Sequence, residues 1–223
     1  MALSTKRTDR RTEALSKERI VEAAIHILDA EGERALTFRA LATRLATGSG
    51  AIYWHVADKQ ALLAAATDHI LASVMAEVAE RSTLNHDAIR TVALGMFDAI
   101  EAHPWIGAQL SGDPWQQGLL RILEGIGRQV QALGVPESAL FNATTALLNC
   151  ILGVAAQHAA AERLPRGTER SVYLAAIAER WTQLDLAEYP FVHHLAAQLP
   201  GHDDREQFLA GVNLVLAGIE SIR

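Results

Sequence analysis

The stretch Gly48-Ser49-Gly50-Ala51-Ile52-Tyr53-Trp54-His55-Val56-Ala57-Asp58-Lys59 constrains this chain more than any other. Small residues open it, an aromatic pair and a histidine follow, and a lysine closes it. At helical spacing Ile52 and Val56 share one face, so an apolar strip can dock on a core. Ser49 then lies under Tyr53, Gly50 under Trp54 and Ala51 under His55, on faces left outside. A helix that starts with small residues and continues with polar and aromatic donors suits a DNA major groove. The same pattern also describes a short core helix whose aromatic pair is packing, so the flanking residues must decide.

Leu36-Thr37-Phe38-Arg39-Ala40-Leu41-Ala42-Thr43-Arg44-Leu45 predicts a second short helix. Thr37 is its N-cap, and Phe38, Leu41, Ala42 and Leu45 are its buried stripe. Two short helices across a tight connection make a helix-turn-helix. Another helix is expected after Ser16, with Ile20, Ala24, Ile27 and Leu28 inward and Gly32 as its C-terminal breaker.

In order and spacing, residues 18–63 resemble the DNA-binding domain of the tetracycline-repressor (TetR) family of transcriptional regulators. The likeness rests on Ile20-Val21-Glu22-Ala23-Ala24, on Leu36-Thr37-Phe38-Arg39-Ala40-Leu41-Ala42, and on Tyr53-Trp54-His55-Val56 with Asp58-Lys59 and Ala61-Leu62-Leu63. The Tyr-Trp-His-Val run is especially similar to the tetracycline repressors themselves. One departure stands in the turn, where the family usually has Gly-Val and this chain has Ala46-Thr47. Glycine there relieves strain at a positive φ, so either the turn costs more to form or Gly48 takes part of that role. The resemblance implies a homodimeric repressor that leaves its operator when a small molecule binds the C-terminal domain. It also implies two C-terminal helices per subunit forming a four-helix dimer bundle.

Composition agrees with an all-α fold. Half of the 223 residues are hydrophobic and only 5% are aromatic, which favours helices and suits one small and one medium domain. The net charge of −6 is unevenly spread. Residues 1–60 carry 10 Lys and Arg against 8 Asp and Glu, whereas residues 61–223 carry 10 against 18. An acidic body discourages non-specific wrapping of DNA and leaves contact to one end. The lone Cys150 excludes an internal disulfide and suits a reducing compartment. With no apolar signal region in the first residues, a cytoplasmic protein is expected.

Nothing predicts an enzyme, a cofactor or a metal. No Gly-x-Ser-x-Gly elbow, His-Glu-x-x-His pair, phosphate-binding glycine loop or Cys-x-x-Cys occurs. His193 and His194 are adjacent, so on a helix they point about 100° apart and form no ready chelate. A helical scaffold without DNA affinity stays open as the alternative.

The expected organisation is a flexible basic arm over 1–15 carrying Lys6, Arg7, Arg10 and Arg11, a helix-turn-helix domain over 16–63, and a ligand-binding and dimerisation domain over 64–223. Asp58 caps a long helix from Lys59 to about Arg81. Further helices are expected over Asp87–Ala102, from Asp113-Pro114 to Gly134, from Pro136 to about Glu162, over about Ser171–Leu184, after Pro190, and over Asp203–Ile222. His103-Pro104-Trp105 breaks the chain between the first two, and Leu164–Thr168 is a loop.

Ser138–Ala161 and Gln207–Ile219 contain no charged residue, so each should be buried on most sides. Asn142, Thr144, Thr145, Asn149, Gln157 and His158 interrupt the first run and argue against a membrane. A second copy of the chain is the expected cover, over Leu148, Leu152, Ala155, Gly211, Val215, Gly218 and Ile222. Gly211 and Gly218, seven apart, would let a partner helix approach closely.

For operator DNA, Arg39 is the long cationic donor suited to a guanine. Thr37, Tyr53, His55 and Lys59 are expected on phosphates and Ala51 on a thymine methyl, with Ser49, Gly50 and Trp54 completing the surface. Lys59 opens a helix, where backbone N–H groups also favour an anion. The effector pocket is expected around Phe97, His103, Trp105, Gln109, Trp115 and Leu119, with Asn149 and His158 on the opposite wall. Its aromatic lining predicts a mainly apolar, partly aromatic ligand.

Overall fold

The computed structural model describes residues 15–80, 86–110, 117–161 and 169–222, without the side chains of 77–80, 154–156 and 158–161. The basic arm up to residue 14, the Asp113-Pro114 helix start, Trp115, the loop at 164–168 and the side chains of Ala155 and His158 lie outside the described residues. Among those residues all regular structure is helical. The chain divides into two compact units, Met1–Ala66 and Thr67–Arg223.

In the first unit, α1 (Lys17–Glu31) starts where the Ser16 hydroxyl accepts from the Arg19 N–H and stops at Gly32, whose φ of 80° ends it. A 3₁₀ turn over Glu33–Ala35 leads to α2 (Phe38–Arg44) and α3 (Ser49–Tyr53). The Thr37 hydroxyl caps α2 by accepting from Ala40 N–H at 3.1 Å. α4 (Lys59–Glu80) begins under Asp58, whose carboxylate accepts from Ala61 N–H at 2.7 Å. Ile20, Ala24, Ile27 and Leu28 of α1 close a core with Leu36, Leu41, Ile52, Val56, Leu62 and Leu63. Each large aliphatic side chain buried there contributes about 1.5–3 kcal/mol.

The turn resolves the question raised by its missing glycine. The N–H of Thr47 donates to Ala42 C=O at 3.0 Å and that of Ala46 to Thr43 C=O at 3.3 Å. These are the two bonds of a Schellman motif, whose left-handed position usually belongs to glycine. Ala46 occupies it, at φ 51°. Gly48 has φ −85° and takes no part of that role.

The second unit contains the rest of α4, α5 (His86–Ala102), α6 (Trp105–Leu110), α7 (Gln117–Ala132), α8 (Glu137–Ala161), α9 (Arg170–Thr182), α10 (Pro190–Ala196) and α11 (Asp204–Glu220). A second 3₁₀ turn spans Leu199–Gly201. α8 is its centre, packed by α5, α6, α7 and α11. That packing buries one side of α8 through Ala143, Thr144, Leu147, Leu148 and Ile151, while Phe141, Asn142, Ala146, Asn149 and Gly153 stay exposed, so within one copy the charge-free run is not buried on most sides as expected. α7 lies close to α4 because it presents Gly118 and Gly125 there, where a side-chain carbon would overlap Leu71 and Met75.

α6 is a helix that the sequence pattern does not mark. The His103-Pro104 break is real, yet Trp105, Ile106, Gly107 and Leu110 re-enter a helix and are buried. The residues expected at a dimer interface also separate. Leu148 is buried within its own subunit, and Gly211 faces Cys150 Sγ, 3.6 Å from where a Cβ would stand. Leu152 and Val215 are half-buried, while Gly218 and Ile222 are exposed.

Candidate nucleic-acid interface and effector cavity

Ile52 anchors α3 completely, and its fixed position decides what its neighbours can present. Ser49 and Gly50 are exposed, and Ala51 is half-buried. The recognition helix is shorter than its sequence suggests: Trp54 and His55 lie past its end, where Val56 N–H donates to Ile52 C=O and lets the chain turn. Trp54 is the C-cap and keeps helical backbone angles (φ −70°, ψ −21°), so Gly50 still lies one turn before it, whereas His55 is beyond the helix. Trp54 is 90% exposed, far more than any packing role would leave it.

Tyr53 is 55% exposed because only one ring face is covered. Its cover is Phe38 of α2, stacked at 4.2 Å between centroids and 5° between planes. Phe38 was expected in the buried stripe of α2. It is half-buried instead, its ring serving as a platform that fixes the Tyr53 side chain; Leu45 is likewise only half-buried. Leu41 and Ala42 complete the inward stripe as expected. Arg39 stands exposed beside Thr37, whose capping hydroxyl oxygen still has its own hydrogen to donate. In the first turn of α1, Glu18 has its carboxyl held below the usual range by a backbone hydrogen bond and the Ser16 hydroxyl, with His55 adding to the effect.

Lys59 is not a free cation at a helix start. Its Nζ donates to the Glu33 carbonyl at 2.7 Å and lies 3.3 Å from the Glu33 carboxylate. No single-residue pattern marked that pair, because the partners stand 26 positions apart.

In the second unit, Phe97 and Phe208 stack at 5.4 Å and line a cavity of about 280 Å³. Asn149, Gln157 and Gln207 bring carboxamides to it, and the Cys150 thiol, pushed up by burial, enters it neutral. Asp204 also reaches it but is engaged by Arg170 and by His202 Nε2 at 2.8 Å. Of the expected pocket residues, the structure brings Phe97 and Asn149 together here. Trp105 lines neither this cavity nor the wider groove of about 850 Å³ between α7 and α8. It is buried, with His103 edge-on at 6.1 Å, so it fills core. His103, Gln109 and Leu119 are half-buried and likewise outside both spaces.

A capped three-helix unit whose helix-turn-helix presents an exposed Tyr53-Trp54 pair has the geometry of a DNA-binding regulator. Residues 20–66 match the family described as "Bacterial regulatory proteins, tetR family", and residues 64–223 match the "Tetracyclin repressor-like, C-terminal domain". The chain belongs to the TetR family of transcriptional regulators, whose members bind DNA and are not enzymes. It is similar to the solved structure of the transcriptional regulator SCO7222, a TetR from Streptomyces coelicolor, with 51% identity, a TM-score of 0.81, and 94% of this chain and 99% of that one covered. It is 29% identical to an HTH-type transcriptional regulator of Saccharopolyspora erythraea over 92% of this chain and 84% of the relative. It is 26% identical to the HTH-type transcriptional repressor DrrR1 of Streptomyces coeruleorubidus, over 92% and 77% respectively. No helix among the described residues is long and apolar enough to cross a membrane.

Proposed function

We propose that the chain is a cytoplasmic homodimeric repressor that leaves its operator when a small, uncharged, partly aromatic molecule enters the α5–α8–α11 cavity. The observation that carries the DNA half is the exposed Tyr53–Trp54 pair, held by Ile52 beneath and Phe38 beside it. Arg39 reads a guanine, Ala51 meets a thymine methyl, and Thr37, Ser49, Tyr53, His55 and Lys59 hold phosphates. Gly50, with nothing within 4 Å of where a Cβ would stand, leaves room for DNA to come close.

The cavity supports the effector half. It offers stacked rings and carboxamides with its one carboxylate already paired, which suits a neutral planar ligand rather than an ion. Repression is the activity named for the relative DrrR1. Dimerisation is supported by exposed uncharged surface on α8 and α11, where Phe141 and Leu214 are each 76% exposed. Two copies would then engage half-sites about 34–36 Å apart.

A reporter driven by the bound promoter tests this reading. Transcription should rise when the gene for this chain is removed. A fall would make it an activator, and no salt-sensitive, sequence-selective gel shift at all would return it to the scaffold class.

A further inference from the structure

We propose that Glu33 is an affinity-limiting residue: its carboxylate holds Lys59 and competes with a DNA phosphate for that ammonium. This rests on the reading of Lys59 as a phosphate contact. The geometry has two separable parts. Lys59 Nζ donates to the backbone carbonyl of Glu33 at 2.7 Å, which places the ammonium beside the turn entering α2 whatever side chain stands at 33. The carboxylate at 3.3 Å adds charge neutralisation. Both side chains remain open to solvent, 40% and 48% exposed, so an arriving phosphate can reach the ammonium.

A lysine that is free before binding contributes its full charge and the release of condensed counterions. Lys59 begins neutralised, and its contact to phosphate exchanges one anion for another. What remains is a weaker interaction and an acid left facing DNA. The backbone contact keeps the lysine positioned, so the carboxylate does not hold the element together; it lowers affinity for every sequence alike. In a chain whose second unit is strongly acidic, it acts in the same direction, against non-specific binding.

The test measures Kd on operator and on random DNA across salt for the full chain and for Glu33→Gln, Lys59→Gln and the double variant, with thermal unfolding alongside. Glu33→Gln should tighten both DNAs by roughly three- to tenfold, the scale of one nearby unit charge in water, more at low salt, with unchanged unfolding temperature. Glu33→Asp should stay near the parent. In the Lys59→Gln background the gain should fall below about twofold. Weaker or unchanged binding by Glu33→Gln, with Lys59→Gln still weakened, would overturn the competition while leaving the phosphate contact standing. A gain undiminished in the double variant would show that Glu33 does not act through Lys59. Unchanged binding by Lys59→Gln alone would remove the phosphate contact itself.

Discussion

Phe38 shows how one side chain sets the geometry of another. A tyrosine on a five-residue helix has little to restrain its ring, and the parallel stack at 4.2 Å supplies that restraint from the preceding helix. Aromatic pairs of this kind couple by about 0.5–1.5 kcal/mol. A double-mutant cycle between Phe38→Leu and Tyr53→Leu, read as operator affinity, should return a coupling of that order, whereas additivity would mean that the stack does not position Tyr53. Arg39 carries the base contact in this reading, so Arg39→Ala should cost roughly 1–3 kcal/mol on operator DNA and relax one base position. Equal loss on operator and random DNA would reduce Arg39 to a phosphate contact. Ala46 makes a third case. A non-glycine residue in the left-handed region costs about 1–2 kcal/mol, and part of any relief is returned as extra freedom of the unfolded chain. Ala46→Gly should therefore stabilise the first unit by roughly 0.5–1 kcal/mol in urea unfolding, with the same Schellman bonds retained.

At the scale of elements, local signals are legible in the sequence and long-range pairings are not. Ser16, Thr37, Asp58 and Asp203 mark helix starts because a capping oxygen acts within three residues. Gly32 and Gly134, at φ 80° and 81°, mark ends for an equally local reason. His103-Pro104-Trp105 marks a break, yet burial of Trp105 and Ile106 stabilises another short helix directly at it. Phe38 on Tyr53, Lys59 on Glu33 and Phe97 on Phe208 depend on tertiary placement that periodicity does not encode. The same difference matters for α8. Freedom from charge suggests burial on most sides, but it does not tell the side of α8 that faces its own subunit from the side left exposed. Leu148 faces inward, so Leu148→Arg should unfold the second unit whether or not a dimer forms. Leu214→Arg and Gly218→Glu place the charge on exposed surface of α11 instead. If that surface is an isologous interface, each charge meets its copy near the dyad. Sedimentation should then give folded monomers with operator binding lost, and unchanged dimers would move the interface elsewhere.

For the whole molecule, the proposed release by an effector requires that it bind the second unit differently in DNA-competent and DNA-incompetent states, because a ligand with equal affinity for both shifts nothing. Moving a population from 99% competent to 1% needs about a 10⁴-fold preference. A cavity of about 280 Å³ supplies such a preference only if its walls are specific, which turns attention to residues that shape it without supporting the fold. Trp105 is unsuitable, since a buried tryptophan cut to alanine costs about 3–5 kcal/mol and tests the core. Gly153 is suitable: it lines the cavity, and a Cβ there would meet nothing within 4 Å. Gly153→Leu should fill the space while leaving the unit folded, dimeric and bound to operator. Against neutral aromatic fragments, the parent chain at 100 times Kd gains about 2.7 kcal/mol, roughly 5–10 °C in unfolding temperature for a protein of this size. Gly153→Leu should lose that shift, and its reporter should stay repressed where the parent's is released. A dimeric Gly153→Leu that keeps both the shift and the release would place the effector outside this cavity, with the α7–α8 groove as the next space to fill.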